Sequence, residues 1–236
     1  MTRIGFGSLL LLAASAAWSG AAHAQSDAST IPAARKISSP ERFVIELRGG
    51  PYQPDLGGNG AFDRFFGGDS GPLLGLQISY IAYRVPDIAY VTFGGGFSWV
   101  NFSGAAVAVN GSGDVTEETS LVLLPLSAVA SLRIDALPRK LGLPFIFAGK
   151  IGWQWAFWDT DTGAKNDASG WAVGLLYGAQ LALDLDSFDS AAARSLDEEW
   201  GINHSYLFFE VYRFSPTSAS LPVGGTGWVL GLGFNF

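Results

Sequence analysis

The chain has 236 residues, no cysteine, a formal net charge of −7, and 15% charged against 48% hydrophobic residues. The lack of cysteine excludes a disulfide framework, a thiolate metal site and a lipid-modified N-terminal cysteine. The acidic balance argues against nucleic acid as a partner.

Residues 1–24 have the pattern of a cleaved secretory signal peptide. A basic start at Arg3 precedes an apolar stretch, and the segment ends in the small-residue pattern Ala22-His23-Ala24. The mature chain is therefore predicted to begin at Gln25. Residues 25–40 are polar and contain proline, which predicts a flexible periplasmic N-terminal tail.

Eight segments between residue 41 and residue 236 alternate large apolar residues with small or polar ones. Each has roughly the 9 to 11 residues that a membrane-spanning strand needs. The clearest is FIFAGKIGWQWAFW, which starts at Phe145. The alternation predicts an all-β fold over 41–236, an eight-stranded antiparallel up-and-down transmembrane β-barrel.

The composition of the two faces decides which face looks outward. A soluble barrel such as a lipocalin also alternates, but its apolar face is inside and its charges are outside. Here the minor face is mainly glycine, serine and alanine, which suits a narrow lumen. The major face carries tryptophans toward the segment ends, as aromatic girdles do: Trp99, Trp153, Trp155, Trp158, Trp171 and Trp228. We therefore expect the large apolar face to contact lipid.

Long polar connections follow the odd-numbered segments, and short ones follow the second and fourth. Barrels of this kind have long outer loops and short periplasmic turns, so both termini are predicted to be periplasmic. The connection between the sixth and seventh segments is the exception, with cap candidates at Asp186 and Ser187 and a stop at Gly201. It predicts a short amphipathic periplasmic helix near 187–200, which caps the barrel mouth, lies at the inner leaflet surface or docks a partner.

Seven ionisable residues fall on the minor face and are predicted to form a lumen charge network: Glu46, Arg48, Arg133, Asp135, Lys150, Asp184 and Glu210. An eight-stranded barrel is just wide enough for its own side chains to fill it. Because both signs are present in similar number, mutual neutralisation is favoured over a selectivity ring of one sign.

The C-terminal stretch GWVLGLGFNF places alternate large apolar residues on one face: Trp228, Leu230, Leu232, Phe234 and Phe236. It resembles the C-terminal signal by which the barrel-assembly machinery recognises Gram-negative outer-membrane barrels. FVIELRGGPYQPDL and GINHSYLFFEVYRF further resemble a family of small outer-membrane β-barrel proteins described chiefly from myxobacteria and related deltaproteobacteria. The resemblance implies a fold and a location, and it carries no activity.

Candidate chemistry is sparse. His204 is the single histidine after the signal, and the adjacent Ser205 points to the other face of a strand, so a local base–nucleophile pair is not expected. The loop DTDTGAKND offers a weak calcium candidate in Asp159, Asp161 and Asp167, but it lacks the later bidentate glutamate. No metal site, catalytic residue or cofactor is predicted.

The sequence thus predicts an exported, monomeric integral outer-membrane barrel with a filled lumen and a structural or surface-interaction role. Its predicted partners are outer-membrane lipids and, during insertion, the assembly machinery. Two alternatives stay open. A passive small-solute pore would need an open lumen, and a lipid-modifying enzyme would need a hydroxyl from another strand beside His204.

Overall fold

The computed structural model describes residues 40–56, 62, 66, 68, 70–106, 117–161, 168–221 and 223–236. These residues belong to the compact unit Ser38–Phe236. The predicted signal peptide, nearly all of the predicted tail, and Asp167 lie outside the described residues.

Eight antiparallel strands close into a barrel in which each strand pairs with its neighbours in sequence and β1 pairs with β8. This confirms the predicted fold. The strands are β1 Phe43–Tyr52, β2 Gly71–Val85, β3 Ala89–Ala106, β4 Glu117–Ile134, β5 Phe145–Asp161, β6 Ala168–Asp184, β7 His204–Ala219 and β8 Gly225–Asn235.

The two ends of the barrel differ. At one end lie the start of β1, the end of β8 and the connections β2–β3, β4–β5 and β6–β7, and we call it the turn end. The other connections lie at the loop end. The barrel closes at the turn end, where the Phe43 and Phe236 backbones exchange hydrogen bonds of 3.0 and 2.8 Å. The last residue therefore continues the pairing of β8 with β1.

The outer surface of the barrel is apolar. Residues of the predicted major face, such as Leu47, Phe93, Ile151 and Leu230, are each about half exposed, although they are large and hydrophobic. Their inward-facing neighbours along the strands are buried or small. Trp158 was wrongly placed on this face. It lies inside with 7% exposure, because it is one residue out of phase with Trp153 and Trp155 on β5.

Glycines on the inner face of β8 make room for aromatic rings from β7. A Cβ at Gly233 would overlap the Tyr206 ring, and one at Gly231 would overlap the Phe208 ring. Both rings are almost completely buried. The glycine face of the terminal strand therefore lets the large side chains of the neighbouring strand fill a narrow barrel.

A helix, α1, spans Ser190–Trp200 within the β6–β7 connection. Its N-cap is Asp189, whose carboxylate accepts from the Ala191 and Ala192 amides, so the predicted caps Asp186 and Ser187 were wrong. It ends at Gly201 in the left-handed conformation (φ 69°), as predicted. In the described part of the chain, no helix is long and apolar enough to cross a membrane.

A π-helical turn, Leu137–Leu141, forms the β4–β5 connection. Pro138 lies in its first turn, and Gly142 closes it in the left-handed conformation (φ 66°). The sequence predicted only a short connection here. The turn carries Arg139 to the mouth of the barrel, where it contacts Glu41 and Asp135.

Gly233→Ala should destabilise the barrel, because the added methyl group meets the packed Tyr206 ring and overpacking typically costs about 1–3 kcal/mol. Gly149→Ala is the matched control, since a Cβ at Gly149 meets nothing within 4 Å. Urea unfolding of both variants in lipid vesicles checks this. Equal unfolding midpoints for the two variants would contradict the proposed role of the glycine face.

Candidate functional site: the lumen and its turn-end mouth

A carboxylate at the centre of the lumen receives donors from four other strands and from its own. Glu46, on β1, is 1% exposed and accepts from Lys150 Nζ at 2.7 Å. It also accepts from Arg48 Nη2 at 2.9 Å and from the Arg133 guanidinium. Neutral donors add to these contacts, with Gln180 Nε2 and Tyr206 Oη each 3.0 Å from Glu46 Oε1.

A second buried carboxylate completes this group. Glu210, on β7, accepts from Lys150 Nζ at 2.7 Å and from Arg48 Nη1 at 3.3 Å. Lys150 and Arg48 therefore each bridge both glutamates. We call Glu46, Arg48, Arg133, Lys150 and Glu210 the central charge cluster.

The central charge cluster holds three cations against two carboxylates, so it carries one excess positive charge. Aromatic faces disperse part of this charge. The Arg133 guanidinium lies 4.6 Å from the Tyr206 ring centroid, and Lys150 Nζ lies 5.7 Å from that of Phe208. The cluster is thus held by ion pairs and by π faces together.

A small cavity lies between the central charge cluster and the loop end. Its volume is about 40 Å³, and its lining includes Arg48, Glu210, Ser127, Gln154 and Tyr212. Arg48 Nε and Tyr212 Oη are buried there and have no hydrogen-bond partner among the described residues. At about 10–15 Å³ each, a few water molecules fit this space and would satisfy those groups.

The loop end of the lumen is filled by apolar side chains. Phe62 and Phe66, from the β1–β2 connection, pack on Phe102 of β3, with ring centroids 5.0 and 6.0 Å from it. Further buried neighbours form the same cluster: Tyr52, Leu73, Val100, Leu121, Leu123, Trp158, Phe214 and Val223. We call this group the loop-end seal. The sequence analysis missed it, although AFDRFF in an otherwise polar loop was a visible signal.

Two of the seven predicted network members lie outside the central charge cluster. Asp135 pairs with Arg139 at 2.7 Å and lies 3.8 Å from Arg84. Asp184 accepts from the Ser187 hydroxyl at 2.7 Å. Both are buried, but they line a cavity of about 130 Å³ at the turn end. The structure therefore divides the predicted single network into two.

Glu41 is the hub of the turn-end network. Its carboxylate accepts from the Arg84 guanidinium, from Arg139 Nη2 at 3.2 Å and from Asn235 Nδ2 at 3.1 Å. His204 Nε2 lies 3.4 Å away. Burial alone would raise the pKa of Glu41, but the His204 hydrogen bond and charge and the Arg84 charge together hold it well below its usual range. The sequence analysis did not predict this role for Glu41.

His204 and Ser205 both bind Asp186. His204 Nδ1 lies 2.6 Å from Asp186 Oδ2, and Ser205 donates to Oδ1 from its amide at 3.2 Å and its hydroxyl at 3.0 Å. Despite its partial burial, the pKa of Asp186 is lowered by these contacts. The Ser205 hydroxyl points at the carboxylate rather than at the imidazole, which is not the order that a base–nucleophile pair requires. The other imidazole nitrogen faces Glu41 and Arg139.

Asp184, Asp186 and His204 place ligand atoms within 4.8 Å of one another. Internal contacts already engage these groups, since Asp184 accepts from Ser187 and Asp186 from Ser205 and His204. These contacts attach the β6–β7 connection to the start of β7, and this structural role explains the arrangement. The weak calcium candidates Asp159 and Asp161 lie exposed at the loop end of β5.

Comparisons with known proteins find solved structures of similar fold and no matching family. No protein-family model and no curated protein matches the chain. Among solved structures, it is similar to the outer membrane protein OprG from Pseudomonas aeruginosa, with 15% identity, 85% of this chain and 99% of that one covered, and a TM-score of 0.49. It is also similar to Ail of Yersinia pestis (13% identity, 83% and 97% covered, TM-score 0.44). A third similar structure is the N-terminal barrel domain of Pseudomonas aeruginosa OprF, with 14% identity, 84% of this chain and 100% of that one covered, and a TM-score of 0.42.

Glu210→Ala should lower the free energy of unfolding by about 3–5 kcal/mol, the usual cost of removing one partner of a buried ion pair. The loss raises the excess positive charge of the central charge cluster and leaves Lys150 with Glu46 as its one remaining carboxylate partner. Urea unfolding of the protein in vesicles measures the change.

Two variants control this experiment. Glu198→Ala, on the exposed surface of α1, should leave the unfolding midpoint unchanged. Adding Lys150→Met to Glu210→Ala should recover part of the loss, because the excess positive charge of the central charge cluster then returns to one. An unchanged midpoint for Glu210→Ala, or no recovery in the double variant, would contradict the coupling of these two residues.

Glu41→Gln should cost about 1.5–3 kcal/mol near neutral pH, the range for hydrogen bonds to a charged group. Since the pKa of Glu41 is lowered in the folded protein, its stabilisation is fully present above the ordinary value of 4.5 and is lost as the pH falls below it. The stability difference between the wild type and Glu41→Gln should therefore shrink below about pH 5. Unfolding curves of both proteins at several pH values check this, and a difference that stays constant in acid would be contrary to expectation.

Proposed function

We propose that the protein is an integral outer-membrane β-barrel with a lumen closed to ions and solutes and a structural or surface-interaction role. The observation that carries the proposal is the combination of an apolar outside with a charge-paired inside. That distribution is the inverse of a water-soluble barrel's. The export signal and the C-terminal resemblance to an assembly signal support the location, and both remain predictions.

The exposed side chains support the membrane environment. Large hydrophobic residues with 38–57% exposure lie on all eight strands. Soluble monomers rarely expose contiguous apolar patches of more than a few hundred Å². Trp99, Trp171 and Trp228 lie toward the loop end, and Tyr80 and Tyr83 lie toward the turn end of β2. Aromatic residues at two levels are typical of a barrel that meets two membrane–water interfaces.

Two barriers in series support a closed lumen. The central charge cluster crosses the barrel, because its members come from β1, β4, β5 and β7 and bond to one another. The loop-end seal then covers it on the side of the long loops. Hydrated ions would have to break buried ion pairs and also pass an aromatic layer. We therefore favour the filled barrel over the passive pore.

A lipid-modifying enzyme is less well supported. The lone imidazole of the mature chain is engaged by Asp186, Glu41 and Arg139 at the turn end. We infer a monomer whose partners are outer-membrane lipids and, during insertion, the barrel-assembly machinery. No nucleic acid or cofactor is part of the proposal.

Planar-bilayer recordings test the closed lumen. The wild-type protein should show no steady single-channel steps, because both barriers are intact. Phe62→Ser/Phe66→Ser should also stay silent, since it opens only the loop-end seal and leaves the central charge cluster in place. Each sample needs a folding check by heat-modifiable gel mobility. Reproducible steps from the folded wild type would overturn the closed-lumen proposal in favour of the pore.

A further inference from the structure

Large apolar side chains at the turn end lie in the connections beyond the ends of the strands. They are exposed by 43–71%. We call the group the turn-end collar: Ile88, Leu141, Leu143, Phe188 and Trp200. Trp200 and Leu141 are 71% and 67% exposed, more than the residues of the barrel wall named above. Charged or polar residues would be the ordinary choice at such positions in water.

The collar is spread around the barrel. Ile88 comes from the β2–β3 connection, Leu141 and Leu143 from β4–β5, and Phe188 and Trp200 from β6–β7. These are the three turn-end connections, and they are separated by pairs of strands around the closed sheet. In the fourth sector, where β1 meets β8, Phe43 is 47% exposed. A lipid layer surrounds all four sectors, so this one occupant accounts for the exposed apolar side chains in each of them.

The helix α1 has the amphipathic character that this position requires. None of its residues is buried against the barrel. At 100° per residue, Ala192, Leu196 and Trp200 share one face, and Arg194 and Glu198 lie on the opposite face. The end of the helix is acidic, with Asp197, Glu198 and Glu199 in succession. This charge disfavours anionic lipids and is compatible with zwitterionic headgroups that carry an ammonium group.

We propose that the turn-end collar lies in the headgroup layer of the leaflet at that end. In this proposal α1 is an interfacial helix whose last residue, Trp200, inserts among zwitterionic phospholipids together with Phe188, which lies just before the helix. This inference rests on the proposed membrane function and deepens it. The collar is continuous with the apolar barrel wall, because Phe145, the first residue of β5, lies only two residues after Leu143 and is itself exposed. Tryptophan also prefers this interface, where its ring is half buried and its N–H stays near water.

Site-specific fluorescence tests the inference, and the absence of cysteine makes labelling clean. Trp200→Cys is labelled with a polarity-sensitive fluorophore, and the folded full chain is inserted into phosphatidylethanolamine-rich vesicles. Glu198→Cys, on the opposite face of the same helix, is the matched control. The Trp200→Cys label should show a blue-shifted emission and quenching by lipids spin-labelled near the headgroup. The Glu198→Cys label should show neither.

Two further variants make the result decisive. Phe188→Cys repeats the measurement at a second collar position, in case Trp200→Cys folds poorly. Leu230→Cys reports on the barrel wall, and its label should be quenched by lipids spin-labelled deep in the acyl chain. If the Leu230→Cys label is in lipid while the collar labels report water, the proposal that α1 is an interfacial helix is wrong, and α1 would instead be a candidate for binding a protein. If the Leu230→Cys label also reports water, the membrane proposal itself is wrong.

Discussion

The structure depends on the burial of the Glu46 carboxylate among three cations at the centre of the barrel. A charge at this depth is tolerable only when it is paired, because the desolvation of a lone ion costs several kcal/mol. Each partner comes from a fixed register position, with Arg48 on β1, Arg133 on β4 and Lys150 on β5. A register slip of one residue would turn a charge outward, toward the apolar face of the sheet. The ion pairs thus specify one alignment of the strands.

Glycine and aromatic residues solve the packing problem around this centre. The inner face of β8 lacks side-chain bulk at Gly231 and Gly233, and the rings of Phe208 and Tyr206 from β7 fill that space. The Tyr206 ring then packs against the Arg133 guanidinium, and the Tyr206 hydroxyl donates to Glu46. The glycines of the terminal strand therefore help to build the charge cluster, although they carry no charge themselves.

The period-two pattern was sufficient to predict the strands, their order and the inward direction of the ionisable residues. The pattern did not predict that those residues divide between the central charge cluster and the turn end. Arg139 reaches Asp135 because a π-helical turn folds back over the mouth, and alternation along strands carries no information about such a turn. Glu41 lies two residues before β1 and shares the parity of the outward-facing Phe43 and Leu47, so alternation did not place it among the inward charges. Phe62 and Phe66 belong to the β1–β2 connection, whose overall polarity predicts exposed rather than buried side chains.

Different kinds of contact hold the two ends of the lumen together. The loop-end seal is built from apolar side chains that pack without directional bonds. The turn end is held together by directional contacts of Glu41. They join the start of β1 to the end of β8 through Asn235, and to the β6–β7 side through His204. The seam between β1 and β8 also begins at the turn end, and from there it runs along the strands as far as Gly49 and Leu230. A seam formed by chain ends far apart in sequence gains most from bonds of fixed geometry, since apolar packing alone would tolerate a shifted register.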